Sequence, residues 1–129
     1  MLKLLLVCLG SGVGGVARFT LVNFIHKLFG KAFPYGTLTV NCLGSFLIGI
    51  LFAILFSKTN DITQALFLLV IVGFLGGFTT FSTFSIETMY LFIDEKFYLA
   101  FLNVFLSIIL CLSFTGLGIY LSKYFLKFF

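Results

Sequence analysis

The sequence predicts an all-α integral membrane protein of four transmembrane helices, and three observations carry that expectation. Its 129 residues are 61% hydrophobic and only 9% charged, whereas a soluble domain carries roughly 25% charged residues. The mean hydropathy is +1.25. No water-soluble fold hides that much apolar surface on so short a chain, since a domain of about 150 residues still exposes roughly 30% of its extended surface. Third, the charges gather in short clusters that cut the chain into long apolar runs.

Residues 4–24 are interrupted by charge only at Arg18, and residues 33–57 carry none. Residues 62–93 contain only Glu87, and residues 97–122 contain no charge. Crossing a hydrocarbon core ~30 Å thick takes about 20 apolar helical residues, so each run suffices. Between them lie His26 and Lys27 with Lys31 and Pro34, then residues 57–61, then Asp94 to Lys96. The expected organisation is a single four-helix membrane domain over residues 1–129, with both termini on one side. Membrane barrel strands are excluded, because they read as alternating segments of about 10 residues. Lys3 ahead of an apolar stretch resembles a secretory signal, but the spans that follow make that reading poor.

Cys8, Cys42 and Cys111 all fall inside apolar runs. An odd set of thiols on different spans does not form a disulfide framework, so they read as small packing residues. Orientation is weakly encoded. Lys3, Lys58, Lys123 and Lys127 lie on the side of the termini, against Lys27, Lys31 and Lys96 on the other. Lysine bias sets the insertion sense, and here the bias is nearly absent. Either the terminal lysines decide, or the chain inserts both ways and opposite copies pair. Gly10 with Gly14, Gly73 with Gly77, Ser11 with Gly15 and Ser45 with Gly49 are small-residue steps that allow close helix approach.

The third run holds the sharpest signal. Gly73 to Ser85 reads GFLGGFTTFSTFS. Adjacent Gly76 and Gly77 weaken a helix, and the hydroxyls of Thr79 and Thr80 compete for backbone hydrogen bonds. Non-helical backbone at membrane depth is tolerated only when buried in protein or facing a wet cavity. The third helix is therefore expected to be broken near its middle, as an ion site or as a simple kink. Beyond it, Phe81 and Phe84 share a helix face, with Thr80, Thr83 and Glu87 in one row and Ser82 and Ser85 in another. Ring edges are the positive part of the aromatic quadrupole, so phenyl rings beside hydroxyls suit a small anion. Thr37 and Asn41 add donors on one face of the second span, and Asn103, Ser107, Cys111 and Thr115 form a polar ladder on the fourth. His26 reads as a solvated loop residue. With no nucleotide loop, metal-ligand cluster or catalytic constellation, an enzyme is not expected, and neither is a nucleic-acid partner.

Three segments taken together, residues 14–18 (GGVAR), 36–46 (GTLTVNCLGSF) and 73–85 followed by Glu87, resemble the CrcB/Fluc fluoride channels over the whole chain. The resemblance implies a fluoride-selective channel in the cell membrane that lowers cytoplasmic fluoride passively. It implies an antiparallel, dual-topology homodimer with two anion pathways and one central, structural sodium ion. On that reading, backbone carbonyls of Gly76 and Thr79 from each copy hold the sodium. Asn41, Phe81 and Phe84 line the fluoride path, with Ser82, Thr83, Ser85, Thr37 and Ser107 as its polar track. Arg18 either draws anions to a vestibule or snorkels to the interface. Glu87 either lines the pathway end or caps a polar network. The competing class is a small proton-coupled multidrug antiporter with dual topology, which needs a well-placed acid, and Glu87 is the one intramembrane candidate.

Overall fold

A computed structural model of the chain describes residues 1–55 and 61–126. Residues 56–60 and 127–129, which include Lys58 and Lys127 of the lysine tally and the end of the second apolar run, lie outside the described residues. Among those described, the structure is all-helical, and four helices are long and apolar enough to cross a membrane. Helix α1 is Leu2–Phe29 and α2 is Tyr35–Leu55. Next come α3 (Asp61–Leu66), a π-helical stretch Phe67–Leu75, the single turn α4 (Gly76–Phe78), α5 (Phe81–Ile93) and α6 (Phe97–Leu126). The pieces from α3 to α5 make up one bent third span.

Local chemistry sets the helix ends. Gly30 terminates α1 with φ 77°, a left-handed value open to glycine, and its N–H donates to the His26 carbonyl at 2.9 Å. Pro34 then opens α2, its carbonyl accepting from Leu38 N–H, because a proline needs no amide partner at a helix start. The connection between α5 and α6 is tighter. Lys96 N–H bonds the Leu91 carbonyl at 2.8 Å and Glu95 N–H bonds that of Phe92 at 3.1 Å, the paired pattern of a Schellman cap. Glycine normally holds the left-handed position of that cap, yet here Glu95 does so with φ 58°. Glu95→Gly is therefore expected to stabilise the protein by about 0.5–1 kcal/mol, a left-handed penalty of ~1–2 less glycine's entropy cost. Thermal unfolding in detergent checks this, and a lowered midpoint contradicts it.

Two seams assemble the bundle, both built on glycine. α1 runs parallel to the first half of the third span, Gly10 meeting Gly73 and Gly77 meeting Ser11. A methyl group on Gly10 would collide with the Leu69 carbonyl, and one on Gly14 with the Phe74 carbonyl. The contact is backbone on backbone, reinforced by Ser11 Oγ donating to the Gly73 carbonyl at 3.4 Å. This lies beside the π-helical stretch, whose wider turns need the room that absent side chains leave. On the other seam α2 packs along α6, with Gly49 against the Thr115 carbonyl and Gly118 against that of Phe46. Phe46 and Phe114 close it edge to face at 6.2 Å. Most of the small-residue steps are thus spent inside one chain. Of the residues in those steps, Gly15 faces open space.

The break falls later than the adjacent glycines suggest. Gly76 and Gly77 are helical, and the backbone turns extended at Thr79 (φ −81°, ψ 159°) and Thr80 (φ −153°, ψ 121°). Gly77 serves packing rather than flexibility. The physical reason is that the Thr79 amide still makes its helical bond to Leu75, whereas the Thr80 amide is taken by Asn41 on α2. The buried interior is thin: Val40, Asn103 and Thr37 are its largest fully buried side chains. Large apolar groups such as Leu4, Phe19, Phe101 and Leu112 point outward, as a lipid-facing surface does.

Candidate functional site

At the break, α2 repairs what the third span lacks. Asn41 stands one turn after Thr37 on α2. Its Oδ1 accepts from the Thr80 N–H at 2.8 Å, and its Nδ2 donates to the Thr80 carbonyl at 3.0 Å. A side-chain amide thus pairs with the extended residue as a neighbouring β-strand would. Thr79 N–H reaches back to the Leu75 carbonyl at 3.0 Å, and its hydroxyl donates to the same oxygen at 2.9 Å. Thr80 then caps α5, its Oγ1 accepting from Thr83 N–H at 3.2 Å, the contact favoured at a helix N-terminus. These bonds offset part of the cost of breaking a helix in apolar surroundings. With Thr80 N–H given to Asn41, the Gly76 carbonyl loses the partner that an unbroken helix would supply.

Beside the break lies a groove of about 410 Å³, open on one side. Asn41, Gly76, Thr79, Thr80, Phe81, Phe84 and Ser107 line it, along with Ser45, Cys111 and apolar residues. None of its lining residues is charged. The structure therefore brings together Asn41, Phe81, Phe84, Ser107, Gly76 and Thr79 of the expected set. The Phe81 and Phe84 rings lie 5.3 Å apart at 44°, and Phe81 is 78% exposed. A ring so bare completes no wall by itself.

The other expected residues stand outside the groove lining. Ser85 Oγ donates back to its own helix at the Phe81 carbonyl, at 2.9 Å. Ser82 is exposed, with its hydroxyl 3.3 Å from that of Thr80, and Thr83 Oγ1 accepts from Thr80 Oγ1 at 3.0 Å. Thr37 and Glu87 face each other from α2 and α5, one turn beyond Asn41 and Thr83 respectively. Thr37 Oγ1 and Glu87 Oε2 are buried without any hydrogen-bond partner of ordinary length. Arg18 Nη1 reaches from α1 to donate to the Thr79 carbonyl at 3.3 Å.

One tie had no signal in the sequence. Asn103, 1% exposed on α6, donates to Thr88 Oγ1 at 2.9 Å. Thr88 in turn donates to the Phe84 carbonyl at 2.7 Å, so a fully buried amide holds α5 to α6 behind the groove. Only the pairing of a buried Asn with a Thr across two spans, invisible in a linear pattern, would have revealed it.

A multi-pass helical bundle, with its third span broken beside an uncharged groove that carries a few polar groups, belongs to the class of membrane proteins that bind or pass a small solute. Among the described residues no cluster of three or more metal-ligating side chains occurs. The family model for CrcB-like protein, Camphor Resistance (CrcB), matches residues 5–119, and the chain belongs to that family. It is 45% identical over 122 residues to the Fluoride-specific ion channel FluC of Coxiella burnetii strain CbuK_Q154, covering 95% of this chain and 98% of the relative. It is similarly 47% identical over 117 residues to the Fluoride-specific ion channel FluC of Magnetococcus marinus, covering 91% of this chain and 94% of that one. The protein of the same name from Geobacter metallireducens is 44% identical over 125 residues, covering 96% and 99%.

Proposed function

We propose that this chain is a fluoride channel of the cell membrane, passing fluoride down its electrochemical gradient and lowering its concentration in the cytoplasm. The observation that carries the reading is unspent hydrogen-bonding capacity at membrane depth. Asn41 keeps one amide hydrogen after bonding Thr80, and the hydroxyl of Thr37, buried one turn farther on beside Glu87, makes no hydrogen bond of ordinary length. Buried polar groups left unpaired cost about 1–3 kcal/mol each, so such a row calls for an occupant. Fluoride is small and strongly hydrated, and closely spaced donors with phenyl ring edges replace its water. Larger halides fit such spacing poorly. The relatives bearing the fluoride-channel name support the choice of ion.

The working unit in this reading is an antiparallel, dual-topology pair of copies. The groove is open on one side and Phe81 stands exposed at it, so a second copy is the natural closing wall. A sodium ion fits at the junction under one condition. The Gly76 carbonyl is released by the break, and a methyl group at Gly76 would meet no atom within 4 Å, so another chain can approach. The Thr79 carbonyl accepts from Arg18 at a long 3.3 Å. Hard cations need several oxygens, and one chain supplies two, so the second copy must supply its own pair. Gly76 and Thr79 would then hold the ion, with Arg18 competing for one of its ligands. When bound, the ion would add positive charge beside the anion path.

Purified protein in liposomes loaded with fluoride tests the function. Fast efflux without a proton gradient is expected, and strict proton dependence would favour the antiporter instead. Phe81→Ile is expected to slow efflux by about tenfold or more, equivalent to ~1.4 kcal/mol of barrier, because an aliphatic side chain offers no positive ring edge. Unchanged efflux would remove the rings from the path while leaving the function in place.

A further inference from the structure

We propose that Cys42 and Cys111 form a two-thiol site for a soft, two-coordinate metal ion on the wall of the groove. The register of the α2–α6 seam places them. Gly49 lies against the Thr115 carbonyl and Ile119 N–H, Gly118 lies against the Phe46 carbonyl and Ile50, and Phe46 pairs with Phe114. Cys42 precedes Phe46 by one turn on α2, and Cys111 precedes Thr115 by one turn on α6. Both thiols therefore sit on the same seam at the same height. Cys111 is a neighbouring group of Cys42, and both are free rather than bridged. Cys42 is buried and Cys111 lines the groove, which supplies a way in.

The chemistry of the pair narrows its ligand. No third His, Cys, Asp or Glu joins the two thiols among the described residues, which excludes the four-coordinate arrangement of structural zinc. Thiolates select soft metals, and two sulfurs suit a linear, two-coordinate ion. Charge favours a divalent one. No charged residue lines the groove, and burying net charge in a low-dielectric site is costly. Mercury(II) breaks two S–H bonds and forms two Hg–S bonds, leaving a neutral site, while two protons depart to water through the groove. No electron is transferred. Cys8 on α1 is exposed and apart from the pair.

Mercuric chloride is the probe, titrated into the reduced Cys8→Ala protein in detergent. Saturation is expected at one mercury per chain, with both remaining thiols lost together to a thiol reagent. The bound metal should withstand excess small monothiol. Cys42→Ala and, separately, the near-isosteric Cys111→Ser should each release it at roughly a hundredfold or lower monothiol concentration, at the upper end of losses seen for weakened metal sites. Two thiols that titrate one by one, or single-cysteine variants that hold mercury as tightly, would overturn the proposal. Mercury should also slow fluoride efflux from liposomes carrying Cys8→Ala, but not Cys8→Ala with Cys42→Ala. That arm rests on the fluoride reading and the titration does not, so the two fail separately. Stoichiometric binding without slowed efflux still supports the site.

Discussion

Replacing Asn41 with alanine is expected to abolish fluoride efflux and to destabilise the bundle by about 2–6 kcal/mol. The stability figure counts the two buried backbone groups of Thr80 that the amide satisfies, at about 1–3 kcal/mol each when orphaned. Thr80 is 8% exposed, so water does not readily replace the lost partners. Asn41→Asp separates the two effects. Its carboxylate still accepts from the Thr80 N–H, but a second oxygen then faces the Thr80 carbonyl where Nδ2 had donated at 3.0 Å. It also places negative charge at the groove that an anion must enter. Efflux should fall as far as in the alanine variant. Efflux from liposomes and thermal unfolding in detergent measure the pair. Wild-type efflux from Asn41→Ala would show that the amide is needed for neither the bend nor the ion.

Gly14→Val is expected to prevent α1 from seating on the third span, at a cost above ~3 kcal/mol. Overpacking a core usually costs about 1–3 kcal/mol because side chains can shift. Here the obstruction is the carbonyl of Phe74, with the Phe78 amide behind it, and backbone inside a helix cannot step aside. Gly12 is the control on the same helix. A methyl group there would meet no atom within 4 Å, so Gly12→Ala should be neutral or gain up to about 1 kcal/mol of helix propensity. The yield of folded protein in detergent and its unfolding midpoint report both. Equal stability of the two variants would mean that the glycine seam does not bear on the fold.

Much of this was legible in the order of residues. Charge-free runs announce spans because the bilayer admits almost nothing else, and the threonine pair after two glycines announced a weak point. Helix periodicity put Phe81 and Phe84 on one face, family resemblance added Asn41 to them, and all three line one groove. Periodicity could not locate the bend itself. Helix propensity blames Gly76 and Gly77, but a partner 39 residues away decides the matter by taking the Thr80 backbone. The same blindness applied to Arg18, whose target is a carbonyl on another span. It applied also to the glycine steps, whose spacing says that something packs closely without saying what. Cys42 and Cys111 looked like filler on separate helices until a shared seam set them side by side.

The pair of hydrogen bonds between Asn41 and Thr80 has a mechanical meaning. A bend left to itself is a joint, free to open and close as its unpaired groups find new company. This one is braced like a corner held by a gusset, with the plate cut from a different beam. The two spans must tilt together or shear both hydrogen bonds at once. A groove built on such a corner is expected to hold its width, and discrimination between ions of equal charge and unequal radius asks for that constancy.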